Sequence, residues 1–163
     1  MKKVIILLVS LFTIAVMSCS VSSPVESSNE IQTKVSADTK SINAYPYRII
    51  INTGAIYKAG TDANVFITLF GASGNTREFL LPAPRSAFER YSSDTFTVTS
   101  DTYIGTLQAI LIRHDDSGGS SGWFLDNIQI CDESTYTYWY ISCYKWLAKD
   151  VDDHLISRYL SVQ

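Results

Sequence analysis

The sequence is sparing with the residues that most often carry chemistry: 163 residues hold three cysteines and two histidines. His114 and His154 stand in no metal-ligand spacing. Gly118-Gly119-Ser120-Ser121-Gly122 has the Gly-x-Ser-x-Gly spacing, but it lies in a serine- and glycine-rich loop and not on the strand-to-helix elbow that mounts a nucleophile beside a base and an orienting acid. There is no internal repeat, and no stretch keeps a long helical period; Tyr144–Lys149 supports a turn or two of helix at most. Lys and Arg number 13 against 16 Asp and Glu, for a net charge of −3, and form no cluster. Phosphate backbones bind concentrated cations, so nucleic acid is excluded as an expected partner. Charge alone gives no attraction to anionic lipid either.

What is present begins with an apolar N-terminus. Met1-Lys2-Lys3 precedes Val4–Val9 and Leu11–Met17, and Ser18-Cys19 ends the run. A short basic start, an apolar core and a small residue before a break form the pattern of a secretory signal. The run is too short, and too closely followed by serine-rich sequence, for a membrane span. Val16-Met17-Ser18-Cys19 resembles the lipobox of bacterial lipoproteins, which implies a signal peptide over 1–18 and lipidation of Cys19. The uncharged Ser20 that follows implies outer-membrane sorting if the cell is Gram-negative. Losing residues 1–18 removes two lysines and no acid, which takes the net charge to about −5. Residues 19–43 are polar, with few large side chains to offset the entropy of ordering them. They read as a tether of about 24 residues spanning about 25–30 Å as a coil, or alternatively as an arm packed on the domain.

Residues 44–163 suffice for one domain. Aromatic and β-branched residues dominate, and turn signals recur at short intervals, which predicts an all-β sandwich or barrel. Tyr45, Tyr47, Ile49 and Ile51 alternate with Pro46, Arg48, Ile50 and Asn52; Val65, Ile67 and Leu69 alternate with Phe66, Thr68 and Phe70. Further strands are expected over Thr76–Leu81, Asp94–Thr99, Leu107–His114, Phe124–Cys131, Tyr136–Cys143 and Ile156–Leu160.

A set of motifs is strung along these strands: Thr53-Gly54, Ala59-Gly60-Thr61-Asp62, Phe88-Glu89-Arg90, Ser93–Val98, Ile112-Arg113-His114-Asp115, Gly122–Asp126 and Cys143–Leu147. In this order they resemble the PLAT domain of lipoxygenases, polycystins, lipases and alpha-toxin-type phospholipases. The resemblance spans about Tyr45 to Leu160. It implies eight antiparallel strands in two packed sheets and a module that docks onto a membrane surface or a partner protein. It also implies no catalysis within the module, because in PLAT-containing enzymes the catalytic centre lies in another domain. In calcium-binding members, the loop matching Gly60, Thr61 and Asp62 supplies ligands and a second loop supplies more. The second loop here, Pro82–Ala87, has one arginine and no carboxylate, a departure that weakens such a site.

Several residues are candidates for function. Gly60, Thr61, Asp62 and Asn64, with Asp115 and Asp116 from the acidic loop 114–122, are the oxygen-rich positions from which calcium could draw ligands. The same short side chains also suit bonding to turn backbone. Ile56 and Tyr57 fall in the loop between the first two strands, where tyrosine suits a membrane interface and an apolar tip suits a partner contact, although isolated exposed apolar residues are common. His114 shares the parity of Ile110 and Ile112 and is expected inside as a hydrogen-bonded residue. Asp126 shares the parity of Ile128 and Ile130, so it is expected to turn inward and pin the preceding loop. Trp123 is expected to pack, Trp139 and Ile141 to join the core and Trp146 to plug a strand end. Cys131 and Cys143 fall on opposite faces, which argues against a disulfide.

The sequence therefore predicts a non-catalytic, lipid-anchored module of the bacterial cell envelope. Its partners would be the membrane, through lipidated Cys19, and an unidentified lipid surface or envelope protein met by its loops, with calcium as a candidate cofactor. A carbohydrate- or peptide-binding adhesin is the alternative, and a cluster of exposed tyrosines on one sheet would favour it. A lipase-like hydrolase is a third reading, which the resemblance does not support because PLAT-containing enzymes keep their catalytic centre in another domain.

Overall fold

The computed structural model describes residues 43–163. The signal segment, Cys19 and the tether up to residue 42 lie outside the described residues. Nine strands are present among them: β1 Tyr45–Thr53, β2 Val65–Gly71, β3 Gly74–Asn75, β4 Phe79–Leu80, β5 Ser93–Ser100, β6 Leu107–His114, β7 Trp123–Asp132, β8 Thr137–Leu147 and β9 Ser157–Ser161. One antiparallel sheet runs β5-β1-β7-β8; the other runs β3-β2-β6-β9, with β4 also on β2.

The period-2 pattern decides which side chains meet between the sheets. Tyr47, Ile49 and Ile51 of β1, Phe96 and Val98 of β5, and Ile128 and Ile130 of β7 face Val65, Ile67 and Leu69 of β2 and Ile110 and Ile112 of β6 in one apolar cluster. Each large aliphatic side chain so buried contributes about 1.5–3 kcal/mol relative to exposure. The alternate residues, among them Arg48, Gln129 and Arg113, turn outward.

Three expectations need correction. The strand expected over Thr76–Leu81 is two short pairings, so nine strands replace eight. The Thr76 hydroxyl accepts the Leu69 N–H at 3.1 Å and stands in for a ladder carbonyl. Arg77 and Glu78 then leave the sheet, and Glu78 takes both ends of the Arg113 guanidinium at 2.7 and 2.6 Å.

Tyr144–Lys149 forms no helical turn. β8 continues as far as Leu147, pairing Lys145, Trp146 and Leu147 with Leu125, Phe124 and Trp123. Cross-strand pairing outweighs a weak local helical preference.

Asp126 does not share the inward parity of Ile128. The register of β7 against β8 shifts between Leu125 and Asn127, and such a bulge re-aims the extra residue. Asp126 is half-buried, and its carboxylate sits over Gly54, where an added Cβ would come within 2.8 Å of Oδ1. No hydrogen bond to its side chain forms among the described residues.

Candidate functional site

The register gathers four connections at one end of the sandwich. Asn52 lies opposite Ser93, Thr53 opposite Leu125, Phe66 opposite Leu80, Val65 opposite His114, Trp123 opposite Leu147 and Arg113 opposite Ser157. Loops 54–64, 81–92, 115–122 and 148–156 therefore meet there. Backbone at positive φ is concentrated in them, at Lys58, Phe88, Tyr91, Asp116, Gly118, Asp152 and His154. Phe88 at φ 59 is a bulky residue in a costly conformation. It is held by its N–H on Asp94 Oδ2 at 2.8 Å, by its carbonyl under the Thr61 N–H at 3.1 Å, and by ring contacts with Phe96 and Trp123. Trp123 is fully buried and donates its indole N–H to Thr53 Oγ1 at 3.0 Å.

The inner half of this end is a closed network. Thr61 Oγ1 donates to the Ser121 carbonyl at 2.9 Å and accepts the Ala63 N–H at 3.1 Å. The Asp62 N–H donates to the Ser120 carbonyl at 2.9 Å. Asp115 Oδ1 accepts the N–H groups of Asn64 at 3.2 Å and Ser117 at 3.0 Å, while Oδ2 accepts Asn64 Nδ2 at 2.8 Å. These bonds hold the Asp115 carboxyl well below the usual carboxylate range. Asp116 accepts the Ser121 hydroxyl at 2.7 Å and pairs with the Lys149 ammonium at 2.5 Å, which lowers its carboxyl too. Gly118 lies so close to Asp62 that a Cβ would come 2.6 Å from the Asp62 Cβ; at φ +81 only glycine fits without strain.

His114 anchors this half from beneath. It is fully buried, with Nε2 2.9 Å from the Leu147 carbonyl and Nδ1 accepting the Asp116 N–H at 3.1 Å. A carbonyl can only accept, so Nε2 carries the hydrogen and the ring is neutral. Burial lowers its pKa below the ordinary histidine value.

Of the residues proposed as calcium ligands, Asn64 and Asp115 bond to each other, Asp116 is neutralised by Lys149, and the Thr61 hydroxyl serves the turn. The Asp62 carboxylate alone has no hydrogen-bond or ion-pair partner among the described residues. Calcium takes six to eight oxygens. No group of three or more His, Cys, Asp or Glu gathers to hold a metal among the described residues. The donor set in this arrangement does not fit calcium.

The outer half is different. Gly54 donates to the Phe124 carbonyl at 2.9 Å, and the Phe124 N–H donates to the Ala59 carbonyl at 2.9 Å, which closes a narrow neck. From it project Ala55–Lys58, with Ile56 44 % and Tyr57 77 % exposed. The Lys58 ammonium lies 5.6 Å from the Tyr57 ring centre. A cleft of about 420 Å³ beside the tip is lined by Tyr57, Lys58, Asp62, Glu89 and Arg90. A neighbouring cleft of about 480 Å³ reaches Leu80, Pro82 and Arg85. Lys58, Arg85 and Arg90 are exposed and have no salt-bridge partner among the described residues.

This sandwich, with its loop order, matches a PLAT/LH2 domain over residues 47–158. The chain belongs to the PLAT/LH2 family. Its PLAT domain is 40 % identical over 118 residues to human lipoxygenase homology domain-containing protein 1, which covers 70 % of this chain and 6 % of that protein. Human polycystin-1-like protein 3 is 33 % identical over 130 residues, covering 79 % of this chain and 8 % of that protein. A coral 8R-lipoxygenase, described as calcium-activated through a C2-like domain, superposes with a TM-score of 0.63 at 25 % identity, covering 72 % of this chain and 17 % of the enzyme. The chain thus spans a small fraction of these much longer proteins and matches a domain within them.

Sequence reasoning placed Ile56 and Tyr57 at a loop between strands, and the structure puts them at the tip. It missed Lys149, and it missed that Lys58 and Arg90 line one cleft while Arg85 lines its neighbour. Lys58 comes from one loop and Arg85 and Arg90 from another, and no local pattern links the two loops.

Proposed function

We propose that this PLAT domain is a non-catalytic docking module that inserts Ile56 and Tyr57 into a lipid surface, with Lys58, Arg85 and Arg90 resting on the headgroups. The observation that carries this is an apolar tip on a narrow neck, flanked by Lys58 and Arg90 with Arg85 in the neighbouring cleft, none of the three having a salt-bridge partner among the described residues. Burying Ile56 contributes about 1.5–3 kcal/mol, and tyrosine places its ring below the interface and its hydroxyl in water. Each cation at an anionic surface adds about 1 kcal/mol. Salt screens the attraction between these cations and the headgroups, so binding should weaken with salt but persist through the apolar contact.

The lipobox-like segment supports attachment through acylated Cys19 in a bacterial envelope. The domain joins the tether at Tyr45, which lies at the end opposite the loops. β1 alone separates the two by about 30 Å. Anchor and tip are then independent contacts, able to engage two surfaces or one.

Calcium is not required for docking in this reading, because the inner loops are already closed by their own hydrogen bonds and by Lys149. Co-sedimentation with vesicles of phosphatidylcholine and phosphatidylglycerol, with calcium and with chelator, tests both parts. Binding that is unchanged by chelator and lost with Ile56→Ser and Tyr57→Ser is expected. No binding to vesicles, or binding indifferent to the tip, would refute lipid docking and point to a protein partner.

A further inference from the structure

β8 is an edge strand, and its outward face is aromatic. Tyr138 and Tyr140 point the same way and are 63 % and 53 % exposed. Alternate residues of a strand are about 6.8 Å apart, so the two rings form a short ladder. Past the bulge, Tyr144 at φ 50 remains exposed. Arg48, itself held by Glu133 at 3.1 Å, donates to the Tyr138 hydroxyl at 3.3 Å and steadies that ring.

The strands behind the tyrosines present amides and hydroxyls. Gln129 of β7 lies opposite Tyr140, and Asn127 lies opposite Ser142. Asn52 of β1 donates to Asn127 Oδ1 at 2.6 Å. That bond leaves an amide donor on Asn127 and a carbonyl acceptor on Asn52 side by side. Thr95, Thr97 and Thr99 of β5 are exposed and continue the polar surface. A cleft of about 120 Å³ opens beside Tyr140 and Ser142, toward Ser161 and Gln163.

We propose that this sheet face binds a neutral glycan. Pyranose rings offer apolar C–H faces to stack on tyrosine and rims of hydroxyls that both donate and accept. Carboxamides satisfy such hydroxyls because they also do both. The charge of the face disfavours an anionic ligand: Arg48 is already paired with Glu133, and Asp126, without a hydrogen-bond partner among the described residues, adds negative charge toward Tyr140. Stacked bases would need unpaired cations for their phosphates, and lipid would need aliphatic side chains where this face has only the half-buried Ile50. The site is separate from the docking tip, and its fate does not depend on that reading.

Native electrophoresis of the full chain through gels containing hydroxyethylcellulose, laminarin, galactomannan or glycol chitin tests it. Retardation in at least one gel is expected, weakened about tenfold or more by Tyr138→Ala with Tyr140→Ala, since such aromatic anchors carry much of a binding energy. Tyr138→Phe with Tyr140→Phe keeps the stacking planes and should retain most of the retardation. Ile56→Ser with Tyr57→Ser should leave it unchanged while abolishing vesicle binding. No retardation in any of the four gels overturns the proposal. So does retardation that survives the alanine pair in a variant whose circular dichroism and melting are native.

Discussion

The two halves of the loop end use the same kinds of residue to opposite ends. In the inner half, Thr61, Asn64, Asp115 and Asp116 spend their hydrogen-bonding capacity on one another, on backbone and on Lys149. In the outer half, Ile56, Tyr57, Lys58, Arg85 and Arg90 find little to bond or bury against. Order in one half costs it ligand capacity, and a lack of partners in the other leaves it free to bind. An oxygen-rich loop is therefore a binding site only where its oxygens remain unspent.

The largest effect should come from breaking the support that both halves share. Trp123→Ala removes the ring under Phe88 and the bond to Thr53, and should destabilise by about 3–5 kcal/mol, read as the shift in chemical denaturation midpoint. Next, Ile56→Ser with Tyr57→Ser should weaken vesicle binding about tenfold or more. The same pair should leave stability within about 1 kcal/mol of the parent, because Tyr57 is mostly exposed and Ile56 only partly covered. If that pair lowers the melting temperature substantially, the tip belongs to the inner network and the contrast fails.

A third effect is pH-dependent and belongs to the inner half alone. His114 is buried neutral, so its folded pKa lies below its unfolded value near the ordinary 6.5. Its contribution is complete above that unfolded pKa and is lost as pH falls toward the folded one. Melting temperature should drop between pH 7.5 and 5.5, and His114→Asn should flatten that slope from a lower starting point. A slope unchanged in the variant would assign the acid sensitivity to other groups. Asp115, with its carboxyl lowered, loses its contribution only at more acid pH, as pH falls through its depressed folded value.

The smallest effect is the sharpest on mechanism. Lys149→Ala removes an ion pair whose lysine is well exposed, so stability should change by no more than about 1 kcal/mol. Yet it frees Asp116. If calorimetry then shows saturable calcium binding that the parent lacks, lysine is what closes the site to the metal. Calcium binding by the parent itself would show that Asp115 and Asp116 exchange their present partners for the ion.

Much of the sandwich was legible because hydrophobic alternation is a local signal. β1, β2, β5 and β6 fall close to where Tyr47–Ile51, Val65–Leu69, Phe96–Val98 and Ile110–Ile112 place them. The same alternation turns His114 inward. It failed at Asp126, because a bulge shifts parity without a marker in the residue pattern. It failed at Tyr144–Lys149, where a weak helical preference was overruled by pairing with Trp123–Leu125. The face of tyrosines was legible only as a count, since ten tyrosines also suit a β core.

The sequence by itself determined the strand faces, the position of the Ile56–Tyr57 loop and the membership that its ordered motifs announce. Each depends on neighbours a few residues apart. The tertiary structure alone decided that Asn64 meets Asp115 across 51 residues, that Lys149 neutralises Asp116, and that Lys58 and Arg90 line one cleft beside Tyr57. It also decided that Tyr138, Tyr140 and Gln129 share an outer surface. Those relations are set by strand register and by loops folding back on one another, and the free energy that fixes register comes from the whole buried core rather than from any segment read alone.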